Sequence, residues 1–152
     1  MPEQKPYNIV FIFADQMHTL KRMRTEALLP EIADYDLVIW AHTVGSPGIA
    51  DYGSNGVLQD YLDGGGRLIL SGQDIGWEMN DIGGAARTWY QTYLHANYIN
   101  DDTNDLTLDG VAGDPIGDGL SLVIGGGDGA NNQEYPSDID PRDAAASVVF
   151  QY

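Results

Sequence analysis

The sequence predicts an α/β domain, a three-layer sandwich around a short and mainly parallel β-sheet, and three observations carry that expectation. Two apolar runs, Asn8 to Phe13 and Asp36 to Ala41, are rich in β-branched and aromatic residues, the pattern of strands covered on both faces. A third, Arg67 to Ser71, follows a helical segment, so strand and helix alternate. The 152 residues fit one domain, taken to span 1–152, with a core that needs neither disulfide nor metal.

The elements follow in order. After the first strand, His18 to Ile32 holds good helix formers with Leu20, Met23, Ala27 and Leu28 at helical spacing, and Pro30 should end that helix near Leu29. Strand, helix and strand then default to a parallel, right-handed crossover. Thr43 to Ser54, with Gly45, Pro47, Gly48 and Gly53, reads as a loop leaving the carboxyl end of the second strand. Val57, Leu58, Tyr61 and Leu62 share a helical face, with Ser54 or Asn55 as the cap and Gly64 to Gly66 as the stop. Beyond Gly72 a helix is expected from Ala85 to Tyr98, then short strands at Leu106 to Leu108, Leu120 to Ile124 and Ser147 to Tyr152.

Charge and composition exclude several classes of function. The net charge is −16, from 23 acidic residues against 7 basic ones, so nothing is available to neutralise the phosphates of nucleic acid. The acidity reads as a solvated surface, as adaptation to high salt, or as calcium binding. No apolar run approaches the ~20 residues needed to cross a bilayer, so membrane insertion is not expected, and Met1 to Pro6 lacks the features of a signal peptide. There is no cysteine, hence no disulfide, thiolate metal site or cysteine nucleophile.

Ligands of open α/β sheets sit beyond the carboxyl ends of the strands. That places Asp15 and Gln16, His42 to Ser46, and Gly72 to Glu78 at one edge. The turn after the third strand has the setting of a nucleophile elbow, but it reads Leu70-Ser71-Gly72-Gln73-Asp74-Ile75-Gly76 and contains no Gly-x-Ser-x-Gly. Ser71 there reads as buried or bonded to backbone, and Asp74 as a base, a metal ligand or, more commonly, a helix cap. Imidazole as a side chain suits acid–base work near neutral pH, so His42 and His95 are candidate bases, although a lone His is more often a packed, hydrogen-bonded residue. Asp101, Asp102 and Asp105 within Asn100 to Asp105 gather oxygen ligands that suit Ca²⁺, without the glycine and terminal glutamate of an EF-hand loop; a solvated turn is the plainer reading. Gly125 to Gly129 is no phosphate loop, because no Lys-Ser or Lys-Thr follows it.

From about Tyr35 onward the chain resembles a class I glutamine-amidotransferase-like domain, of the flavodoxin-like class, found within secreted bacterial proteins. The resemblance rests on Tyr35 to Trp40, Tyr61 to Leu68, Ser71 to Gly76, Tyr93 to Ala96, Gly113 to Ile116 and Gly126 to Gln133. Active members carry a Cys at the elbow, and Gln73 stands near that place here, so the resemblance implies the fold without the glutaminase chemistry. It also implies an extracellular or cell-surface location and a further strand or two beyond Tyr152, which would leave a sheet edge open for pairing with a protein partner or a second copy. Lys5 to Met17 is similar to the opening of sulfatases, in which the Asp after the first strand binds the catalytic metal, but the sulfatase nucleophile motif is absent, since Ser46-Pro47-Gly48 has no matching Arg. Two functions follow as expectations. One is a non-catalytic binding or assembly module, its Asp-rich loop holding calcium; the other is a metal-assisted hydrolase using Asp15, His42 and Asp74.

Overall fold

The computed structural model describes residues 9–14, 29–42, 49, 56–72, 74–125 and 136–152, with 9–14, 29–31 and 42 as backbone. They fall in two compact units, Met1–Ile75 and Gly76–Tyr152.

In the first unit, strands β1 (Ile9–Ala14), β2 (Leu37–His42) and β3 (Leu68–Gly72) form a parallel sheet in the order β1-β2-β3. Val38 and Trp40 of the middle strand are fully buried, as a central strand requires. Edge strand β3 alternates instead, with Ile69 exposed between half-buried Leu68 and Leu70. Helix α1 (Val57–Asp63) buries Leu58 and Tyr61 and ends at Gly64. Its N-cap is Gly56 in a left-handed conformation without a side-chain bond, not the expected Ser54 or Asn55, which lie outside the described residues. Leu29–Asp34 is a 3₁₀ helix with Pro30 in its first turn, where a missing N–H costs nothing. Pro30 therefore opens a helical turn where it was expected to close one; the rest of the expected helix, His18 to Leu28, lies outside the described residues.

Tyr61 pins the end of α1. Its hydroxyl lies 3.2 Å from the Tyr35 carbonyl and 3.0 Å from the Arg67 carbonyl, and it accepts the Arg67 N–H at 3.1 Å. The ring lies against Gly66, where any Cβ would overlap it. Tyr61→Phe leaves these partly buried backbone groups without the hydroxyl and is expected to lose about 1–2 kcal/mol in urea unfolding. A loss under ~0.3 kcal/mol would mean that water replaces the hydroxyl.

In the second unit, helices α2 (Ile75–Ile82) and α3 (Gly84–Tyr93) are followed by two small antiparallel sheets. Helix α3 buries Ala86, Trp89 and Tyr90, at i, i+3 and i+4, and Trp89 stacks on Tyr93 with ring centroids 6.0 Å apart. Strands β4 (Ala96–Asn100) and β7 (Asp138–Pro141) pair as a ribbon. Gly76 sits within van der Waals reach of Tyr90, Tyr98 and Ile139, so α2 meets both α3 and this ribbon. Strands β5 (Thr107–Gly110), β6 (Ser121–Val123) and β8 (Phe150–Gln151) form the other sheet in the order β6-β5-β8.

This architecture corrects the expected fold class. Parallel pairing is confined to the first sheet, and every pairing described after Gly72 is antiparallel, so the chain is not a mainly parallel, flavodoxin-like sandwich. The helix expected from Ala85 to Tyr98 stops at Tyr93. His95 takes a left-handed backbone (φ 50°) just past the Leu94 cap, and the next five residues form a strand that pairs with 138–141 around an irregularity at Ile99. The strand expected from Ser147 to Tyr152 shortens to Phe150–Gln151.

Candidate functional site

The parallel sheet brings its strand ends level. Ala14, His42 and Gly72 are partners in the register, so their backbones line up across the carboxyl edge at roughly 5 Å per strand. Asp15 follows Ala14 directly but lies outside the described residues, and His42 is described as backbone alone. Asp74 follows Gly72 by two residues and immediately precedes α2. Its φ of 59° is a left-handed conformation that departs from the extended backbone of an N-cap residue, and it is the sort of strained strand-to-helix turn on which elbow nucleophiles are held. Asp74 is half-buried; the order of strands thus brings two of the three candidate positions, His42 and Asp74, to one edge.

A cleft of about 290 Å³ lies elsewhere in the first unit, between Tyr35, Asp36, Asp60, Tyr61, Arg67 and the Gly64 to Gly66 turn. It opens where β2 and β3 begin, the opposite end from the one at which parallel sheets bind ligands. The N–H groups of Gly64, Gly65 and Gly66 donate to the carbonyls of Asp60, Leu62 and Tyr61, so the turn offers no ring of amides to an anion.

In the acidic loop the carboxylates serve the backbone. Asp102 Oδ1 accepts the Asn104 N–H and Asp105 Oδ1 the Thr107 N–H, both at 2.8 Å, which are Asx turns. The Thr103 hydroxyl and the Asp105 backbone bond each other, and the Thr103 N–H donates to the Pro136 carbonyl. Asp101 is exposed. Among the described residues no group of three His, Asp or Glu side chains is arranged to hold a metal ion.

His95 belongs to a cluster that the sequence did not reveal. Its Nδ1 lies 2.9 Å from Asp143 Oδ2, its carbonyl accepts the Arg142 N–H at 2.7 Å, and the Arg142 guanidinium reaches Gln91 Oε1. The cluster ties the end of α3 to the turn after β7. The His95 bond, then the Ala145 N–H, hold the Asp143 carboxyl below the usual carboxylate range. A depressed acid stabilises the fold above the ordinary Asp range, near ~3.9, and that contribution disappears as pH falls through its folded-state value. Asp143→Asn should therefore be slightly less stable than the parent near neutrality, and the two melting temperatures should converge below about pH 3. A constant difference across that window would show that the bond to His95 does not depend on the charge.

The second unit exposes large apolar side chains in two places: Trp77, Ile82, Ile99 and Ile139 on α2, β4 and β7, and a second set around the β6-β5-β8 sheet. Leu106, Ile116, Leu120, Leu122, Val123, Val148 and Tyr152 are all exposed, and all lie on the β6-β5-β8 sheet or the segments that flank it. The run Leu120 to Ile124 reads in sequence as a short strand without saying whether it is covered; only the structure shows that it is not.

No family model, curated protein or solved structure matches the chain. Among the described residues, no helix is long and apolar enough to cross a membrane.

Proposed function

We propose that this chain is a non-catalytic binding or assembly module of an extracellular or cell-surface protein. The observation that carries the proposal is the exposure of Leu120, Leu122 and Val123 along β6, which among the described residues pairs on one side only, since apolar side chains on an open strand edge mark places where proteins meet partners. The extracellular setting rests on the resemblance to domains of secreted proteins. Calcium at Asp101, Asp102 and Asp105 would add to this role, and a ligand that binds only the folded state must raise its melting temperature. A melting temperature equal in chelator and in millimolar calcium removes calcium from the proposal.

A metal-assisted hydrolase at the carboxyl edge is the second reading, favoured by the level ends of β1, β2 and β3 and by the strained turn at Asp74. Hydrolysis of p-nitrophenyl acetate and p-nitrophenyl phosphate, with and without divalent cations, separates the two. The module reading expects buffer background throughout. Turnover that falls at least tenfold in His42→Ala and Asp74→Asn, at unchanged melting temperature, establishes the hydrolase in its place.

A further inference from the structure

We propose that the outer edge of β6 is a docking strand for an extended, basic segment of another polypeptide, an inference that rests on the module reading and gives it a surface and a partner chemistry. Among the described residues β6 pairs on one side only, with β5. The Ile124 N–H donates to the Leu106 carbonyl and the Gly110 N–H to the Leu120 carbonyl, so the even-numbered residues face β5. By the alternation of an antiparallel ladder, Ser121 and Val123 turn their N–H and C=O groups outward, where an added strand would bond.

The side chains fit that role. Leu120 and Leu122 lie on one face at 48% and 43% exposure, and Val123 on the other at 67%. Sheet edges are blunted by shortness, Lys, Pro or a bulge; β6 is only three residues long, but Leu120 to Ile124 contains neither Lys nor Pro and pairs with β5 in an unbroken register. An edge so apolar on both faces is suited to being covered.

Charge decides what covers it. Between Leu106 and Gly125 the only ionisable side chains are Asp109, Asp114 and Asp118, and Asp105 precedes them. A second copy of this chain would bring the same carboxylates, on a molecule of net charge −16, against its own kind. A strand whose apolar residues alternate with Lys or Arg satisfies the outward backbone groups, covers Leu122 or Val123, and brings positive charge to a molecule of net charge −16 with no basic residue between Leu106 and Gly125.

The test is titration of the full chain with an eight-residue peptide alternating Lys and Val, and with its Glu–Val counterpart, by calorimetry at low salt. The Lys–Val peptide is expected to bind, and the Glu–Val peptide at least tenfold more weakly. Val123→Pro removes an outward N–H and leaves the inward pairing intact, so it should weaken binding at least tenfold. Leu122→Lys, at an exposed position, should do the same if the proline variant fails to fold. Absence of Lys–Val binding, equal binding of both peptides, or binding that neither substitution alters overturns the proposal. Concentration-dependent dimerisation abolished by Val123→Pro also overturns it, by making a second copy the occupant. Failure here differs from failure of the module reading, which only turnover dependent on His42 and Asp74 would sink.

Discussion

Replacing Trp40 by alanine is expected to cost about 3–5 kcal/mol, the range for deleting a large aromatic side chain from a packed core. Trp40 is 0% exposed and sits in the middle strand of the parallel sheet, in register with Ile12 on β1 and Leu70 on β3. Val38, Ile49 and Leu58 are fully buried in the same unit. A cavity of indole size in a core this small cannot be filled by rotamer changes alone, and total stabilities of domains are only about 5–15 kcal/mol. Urea unfolding followed by circular dichroism should show the midpoint fall by a large fraction. A loss below ~1 kcal/mol would place the core of this unit elsewhere.

Gly117→Ala is expected to disrupt the β6-β5-β8 sheet by a different mechanism. A Cβ at Gly117 would fall inside contact distance of the Val149 carbonyl oxygen, and the Gly110 Cα would lie 3.3 Å from it. The close approach joins three pieces of backbone: the end of β5, the turn at 115–119 and the residue before β8. The Val111 N–H donates to the Val149 carbonyl at 3.0 Å, the Leu120 N–H donates to the Gly117 carbonyl at 3.0 Å, and Asp114 Oδ1 accepts the N–H groups of Ile116 and Gly117. Because the obstacle is main chain, no side chain can turn aside to make room, and a loss of about 3 kcal/mol or more follows. Gly113→Ala supplies the comparison. Its φ of 84° strains an alanine by about 1–2 kcal/mol, but nothing lies within 4 Å of the added carbon. If Gly113→Ala proves as harmful as Gly117→Ala, the close approach is not what fixes the turn.

The first unit was largely legible because its elements are long apolar runs separated by glycine. Strands expected at Asp36 to Ala41 and Arg67 to Ser71 appear one residue later, and α1 ends at the glycines that should end it. In the second unit local signals compete with pairing. Tyr93 to Tyr98 continues a helical pattern, but a left-handed His95 and pairing with 138–141 override it. Strand β7 is Asp-Ile-Asp-Pro, whose charge and proline hide its alternation. Extending the parallel sheet beyond β3 followed a default for α/β chains, whereas short strands around the turn-rich Gly110 to Gly119 make a hairpin connection the natural one.

The candidate sites divide similarly. That the segments after Ala14, His42 and Gly72 should lie at one edge is expected from the default parallel crossover of strand, helix and strand; the order β1-β2-β3 itself is seen only in the structure. The His95 and Asp143 pair spans 48 residues of chain, and no local pattern signals such a contact. Whether Leu122 and Val123 are covered depends on what packs beside them, which hydrophobicity alone does not state.

The most direct test of the account is amide hydrogen exchange of the full chain with and without the Lys–Val peptide. The docking strand requires Ser121 and Val123, whose N–H groups point outward, to gain protection on peptide addition, with little change at Leu122, already bonded to β5. Unchanged exchange at Ser121 and Val123, with protection appearing instead at His42 and Gly72, would contradict it and move the working surface to the edge of the parallel sheet.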